Sequence, residues 1–168
     1  MTTDEIRRLL DILEAYEVPT DVLESGLDAF SEKAKNAVVQ RLARAPESPP
    51  GRVVARLLFI RTPQNESDLA AVFRRGSRSP DPAARKFSLY GLDQLDHPAA
   101  TEAALEALAD DDDQVVFAAA MMLLPNAAQE SRIADALREA YAAREGKEEF
   151  HASVSLLKAR LIEPGAPT

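Results

Sequence analysis

No cysteine occurs among the 168 residues of this chain, which excludes zinc–thiolate centres, thiol nucleophiles and disulfide staples. The same absence fits a reducing compartment. Tryptophan is also missing, aromatic residues are few, and only six glycines are present. They are scattered, so no glycine-rich loop can cradle a phosphate, and no Gly-x-Ser-x-Gly turn raises a serine nucleophile. The two histidines, His97 and His151, are too far apart in sequence to match a metal-ligand spacing. His97 precedes Pro98 and reads as a turn residue. His151 lies beside Glu148 and Glu149 and reads as a surface position.

Long apolar runs are lacking too. The longest, Val115 to Pro125, falls well short of the roughly 20 residues that cross a bilayer. The first ten residues carry Asp4, Glu5, Arg7 and Arg8, a pattern unlike a secretory leader. The expectation is a cytoplasmic protein without membrane contact. A chain of this length can bury roughly 70% of its unfolded surface, so one domain over 1–163 needs neither metal nor cofactor to fold. The run Asp110 to Asp113 lacks the alternating ligands and the glycine of a calcium loop, and reads as a solvated turn with a helix cap. Met121 and Met122 read as core filling. No cofactor or catalytic residue is assigned.

What the sequence does have is helical periodicity nearly everywhere. Alanine and leucine, both strong helix formers, recur on one stripe of each segment. The pattern predicts ten helices over 3–16, 19–30, 32–45, 50–62, 66–76, 81–95, 98–109, 113–124, 127–144 and 147–162. Pro19, Pro49, Pro63, Pro80, Pro98 and Pro125 punctuate them, each lacking a backbone donor and biasing its predecessor away from helix. Asp81 followed by Pro82 reads as N-cap and first helical residue. Ser31 and Asp113 read as caps of other helices, and Gly76 and Gly146 as helix ends. The tail 164–168, Pro-Gly-Ala-Pro-Thr, cannot continue a helix and is expected to be disordered.

Short helices with short connections form hairpins, and these hairpins repeat. The segment Asp81 to Leu92, shifted by 31 residues, falls on Asp112 to Leu123. Acid, small and leucine positions coincide. With an offset near 32, Ala104 falls on Ala136 and Leu105 on Leu137. A looser earlier copy brings Val54, Leu57 and Leu58 onto Arg85, Ser88 and Leu89. Asp-Pro-x-x-Arg opening a helix, the His97-Pro98 turn and the acidic turn Asp110 to Asp113 together resemble a HEAT-like repeat. The spacing resembles the short bacterial variety that also occurs in phycobilisome lyases. The resemblance covers 80–124 most clearly and extends over 50–162. The second copy has Val116 where the pattern places arginine, which interrupts the usual Asp–Arg ladder. The resemblance implies a right-handed α-solenoid of about five helical hairpins. In such a stack each repeat buries its face against the next. Ala83, Ala84, Ala118, Ala119 and Ala120 would let helices approach closely, with Leu89, Leu92, Leu95, Leu105, Leu108, Leu123 and Leu124 filling the core.

Charge is segregated. Residues 1–32 hold nine acids and two bases, residues 33–86 twelve bases and four acids, and residues 87–168 fifteen acids and six bases. The basic middle contains Arg41, Arg44, Arg52, Arg56, Arg61, Arg74, Arg75, Arg78, Arg85 and Lys86. Arginine suits bidentate recognition of carboxylate or phosphate. One reading neutralises these charges inside the molecule, against the acidic ends. The other makes them a contact patch, and Arg74, Arg75, Arg78, Arg85 and Lys86 are its candidate residues. The expected function is a non-catalytic scaffold binding a protein with an acidic surface through its concave face and this patch. Nucleic-acid binding in a glycosylase-like groove and a lyase-type chromophore chaperone are the alternatives. The sequence leaves the oligomeric state open. If Leu92 fills the core, Leu92→Ala will lower stability by about 2–5 kcal/mol, read from the midpoint of urea unfolding.

Overall fold

The computed structural model describes residues 3–15 and 19–144. Among these the chain is all-α, with nine α-helices, two 3₁₀ turns and no strand. The helices are α1 (Thr3–Glu14), α2 (Thr20–Asp28), α3 (Glu32–Arg44), α4 (Gly51–Val54), α5 (Glu66–Gly76), α6 (Pro82–Gln94), α7 (Ala100–Ala107), α8 (Asp113–Leu123) and α9 (Ser131–Ala142). The 3₁₀ turns are Leu57–Ile60 and Leu124–Asn126. The expected helix over 147–162, the end at Gly146, His151 and the tail 164–168 lie outside the described residues.

The chain divides into two compact units, Met1–His97 and Pro98–Thr168. In the first, α1 packs on α3 and α3 on α5, while α4 packs on α6 and the turn Leu57–Ile60 on α2. That makes two layers, joined by contacts of α5 with α6, α1 with α2 and α3 with Leu57–Ile60. Leu9, Leu13, Leu27, Leu57, Ile60, Leu69, Phe73, Leu89 and Leu92 fill the space between them and are essentially inaccessible. In the second unit α8 packs against α7 and α9, burying Val115, Ala119, Leu123, Ile133 and Leu137. Of the seven leucines expected inside, Leu95 and Leu105 remain partly exposed. Each sits at or near the end of its helix, where one side is left uncovered.

The repeat period is written in the caps. Pro50, Asp81 and Asp112 are the N-caps of α4, α6 and α8, at successive steps of 31 residues. Under the same shift Val53, Ala84 and Val115 are all buried, as are Leu57, Ser88 and Ala119. Asp81 serves two helix starts at once. Its Oδ1 accepts from the Ala83 amide at 2.9 Å and its Oδ2 from the Gly51 amide of α4 at 2.7 Å. The first amides of a helix have no partner within it, so one carboxylate satisfies donors on neighbouring elements. Gly51 is required for this approach, because a Cβ there would lie 2.4 Å from the Ala83 Cβ and 2.7 Å from the Ala84 nitrogen.

Three local expectations are corrected. The cap of α8 is Asp112, whose Oδ1 accepts from the Gln114 and Val115 amides; Asp113 is the first helical residue. The helix expected over 50–62 breaks into α4 and the turn Leu57–Ile60. In 3₁₀ geometry residues three apart eclipse, which directs Leu57 and Ile60 together into the core. Asn65 then holds the exit, accepting from the Thr62 amide at 2.9 Å and donating to the Ile60 carbonyl at 3.0 Å. Finally, α9 begins at Ser131, not 127, because Pro125 opens a 3₁₀ turn ahead of it.

The end of α6 is closed by the αL C-cap pattern that pairs two amides with two carbonyls. The His97 amide donates to the Leu92 carbonyl at 3.0 Å and the Asp96 amide to the Asp93 carbonyl at 2.9 Å. Asp96 has a φ of 47°, a conformation costing a side chain about 1 kcal/mol relative to glycine. Asp96→Gly should therefore raise the thermal midpoint. Gly91→Ala should lower it sharply, because the added methyl would stand 2.6 Å from the Phe73 ring. Differential scanning calorimetry of the two variants checks both signs.

Candidate functional site

A helix ends with four carbonyls that have no partner inside it and with a partial negative charge. In this chain those ends are met by arginines from other elements. Arg56 Nη1 lies 3.1, 2.9 and 2.6 Å from the carbonyl oxygens of Ile12, Leu13 and Ala15, and Arg52 Nε donates to the Glu14 carbonyl at 3.0 Å. Together they close the end of α1. Arg75 of α5 closes α3, donating to Leu42 at 2.6 Å, Ala43 at 3.1 Å and Glu47 at 3.2 Å. Arg61 donates to the Gln94 carbonyl of α6 at 2.9 Å and pairs with Glu66. In the second unit Arg144 reaches the Leu108 and Asp110 carbonyls beyond α7 and pairs with Asp113 at 3.1 Å. A guanidinium offers five donors in a planar fork, and Arg75 uses it with Nε, Nη1 and Nη2 each on a different carbonyl.

The five residues expected to form the contact patch surround the α5–α6 turn, but they differ in what they do. Arg75 is committed to α3. Arg85 Nη1 donates to the Ser79 and Pro80 carbonyls at 2.9 and 3.2 Å. Lys86 is half-buried, its Nζ 5.0 Å from the centre of the Phe87 ring. Arg74 and Arg78 are exposed. Part of the basic middle is thus engaged within the molecule, by backbone carbonyls more than by carboxylates.

Three arginines of the basic middle stand apart. Arg41, Arg44 and Arg74 are exposed, and their guanidinium groups have no hydrogen-bond or ion-pair partner among the described residues. They lie on α3 and α5, adjacent helices of one layer. Arg41 and Arg44 also border an open groove of about 810 Å³ between α1 and α3. Its floor includes Ile6, Leu10 and Ala37, all half-exposed, and its other wall carries Asp11 and Glu14. Sequence reasoning missed this groove. The available signal was the excess width of the apolar stripe on α1, where Leu9 and Leu13 go to the core and Ile6 and Leu10 are left over. A smaller groove of about 370 Å³ lies between α7 and α9, lined mainly by alanine and leucine.

Several acidic residues have structural partners. Asp110 Oδ1 accepts from the Asp112 amide at 2.9 Å, and no group of three or more metal-ligating side chains occurs among the described residues. Glu5 of α1 accepts from the Ser31 hydroxyl at 2.8 Å, and these bonds lower its pKa. Ser31 in turn caps α3, accepting from the Ala34 amide. Glu102 and Arg132 form a bidentate pair between α7 and α9, at 2.9 and 2.8 Å, which lowers the carboxyl pKa and raises that of the guanidinium. Among the described residues no helix is long and apolar enough to cross a membrane.

Comparison with protein-family models, with curated proteins and with solved structures finds no match for this chain.

The division into committed and free arginines is measurable. Arg75→Met should cost about 2 kcal/mol, the scale of a hydrogen bond to a charged group. Arg74→Met should stay within about 0.5 kcal/mol, as surface substitutions do. Parallel urea titrations of the two variants give the comparison.

Proposed function

We propose that this chain is a non-catalytic, protein-binding repeat protein of the HEAT-like kind, acting in the cytoplasm. In this reading its hairpins belong to a right-handed α-solenoid of about five units. The 31-residue period of helix caps and the two-layer packing of the first unit support the repeat reading. The observation that carries the binding function is the presence of Arg41, Arg44 and Arg74, with exposed guanidinium groups that have no partner among the described residues, in a molecule where Arg52, Arg56, Arg61, Arg75 and Arg144 close helix ends. A free guanidinium on a helix surface adds little to folding but is well suited to a carboxylate on another molecule. The partner in this reading is a protein with an acidic surface.

Net charge and composition favour protein over nucleic acid. At −8 overall and with no tryptophan, the chain has a long-range field that repels a phosphate backbone and few rings on which bases could stack.

Affinity capture from native lysate, with the parent chain and an Arg41→Glu/Arg44→Glu/Arg74→Glu variant as baits, tests the proposal. The expected result is one or more proteins held by the parent and lost by the variant. Identical retention by both baits contradicts it. So does recovery of nucleic acid whose retention falls steeply with salt.

A further inference from the structure

The groove between α1 and α3 has two walls of opposite charge. Arg41 and Arg44 stand on the α3 side and Asp11 and Glu14 on the α1 side, all four exposed. No ion pair links the walls, and none of these four side chains has an ionic or hydrogen-bonded partner among the described residues. Arg7, on the same rim, is already paired with Asp4 at 2.7 Å. Between the walls the floor is apolar, with Ile6 and Leu10 one helical turn apart and Ala37 opposite. The small side chain of Ala37 keeps the floor open.

From this arrangement we infer that the groove holds an amphipathic helix of a partner protein. That helix carries carboxylates along one edge, toward Arg41 and Arg44, and basic side chains along the other, toward Asp11 and Glu14. The inference rests on the protein-binding reading above and specifies its site and its ligand. An apolar strip at i, i+3, i+4 and i+7 would lie on Ile6, Leu10 and Ala37, the helix-in-groove mode of recognition. The charge order across the groove fixes the direction in which the helix lies. A helix laid in reverse would bring like charges together, which costs affinity. A nucleic-acid strand has one sign of charge only and would meet Asp11 and Glu14 unfavourably.

A display library of random 16-residue peptides, selected on the full chain, provides the test. The expected enriched sequences combine an apolar helical stripe with acids on one flank and bases on the other. A synthetic peptide from that set should lose about tenfold or more in affinity against Arg41→Glu/Arg44→Glu, the scale set by two rim charge pairs. Ala37→Arg, which fills the floor without touching the wall charges, should also abolish binding. A chain with all four wall charges reversed, by Asp11→Arg, Glu14→Arg, Arg41→Glu and Arg44→Glu, should prefer the peptide with its flanking charges exchanged. Circular dichroism confirms that each variant folds.

Enrichment of uncharged or purely acidic sequences, or none at all, would overturn the inference. Binding unaffected by Ala37→Arg would do the same. If an Arg74→Glu bait loses the lysate protein while Arg41→Glu/Arg44→Glu and Ala37→Arg baits keep it, the groove fails and the protein-binding reading stands. If neither experiment yields a protein ligand, both fail.

Discussion

An arginine side chain reaching the open carbonyl end of a helix to which it does not belong is the contact on which this fold depends most. Short helices leave a large share of their backbone unsatisfied, since each end has four groups without an internal partner. With helices of 8 to 13 residues, the four-residue α4 aside, hydrophobic burial alone would leave many polar groups facing neighbours instead of water. Arg52, Arg56, Arg61, Arg75 and Arg144 meet that need. Each ties together elements well separated in sequence, so the same bond that satisfies a helix end also fixes the register of packing. Asp81, Asp112 and Ser31 do the complementary work at N-termini, where anionic or hydroxyl oxygens are favoured.

The segregation of charge along the sequence thus has a structural cause in part. Four arginines of the basic middle, Arg52, Arg56, Arg61 and Arg75, supply donors to helix ends. Several acids act locally, as caps such as Asp112 or in pairs such as Glu102 with Arg132. Because the pKa of Glu102 is lowered in the folded chain, that pair stabilises above the unfolded carboxylate value. Its contribution is lost as pH falls through the folded value. Around one groove this scheme leaves Arg41, Arg44, Asp11 and Glu14 beside a half-exposed apolar floor. In the proposed reading these groups supply the material for binding.

Much of the architecture was legible in the sequence because its signals are local. Prolines and the Asp81-Pro82 pair marked helix starts, and the 31-residue shift found positions that are buried alike, such as Leu57, Ser88 and Ala119. The break within 50–62 was not legible, since Leu57 and Ile60 satisfy an α-helical stripe as well as a 3₁₀ one. The cap of α8 was ambiguous among four consecutive aspartates, and only the bonds of Asp112 to two amides distinguish it. The roles of individual arginines were the least legible. Arg74 and Arg75 are adjacent and chemically identical, yet one faces α3 and the other faces solvent. The difference is set by helix phase and by which carbonyls lie within reach.

Side-chain nitrogen NMR of the arginines tests the central claim most directly, by reading rotation about each guanidinium bond. Arg52, Arg56, Arg75 and Arg144 should show slow rotation, with resolved Nη signals from donors held on carbonyls. Arg41, Arg44 and Arg74 should show the averaged signals of free guanidinium groups. Uniformly fast rotation across both sets would contradict an account in which arginines close the helix ends of this fold.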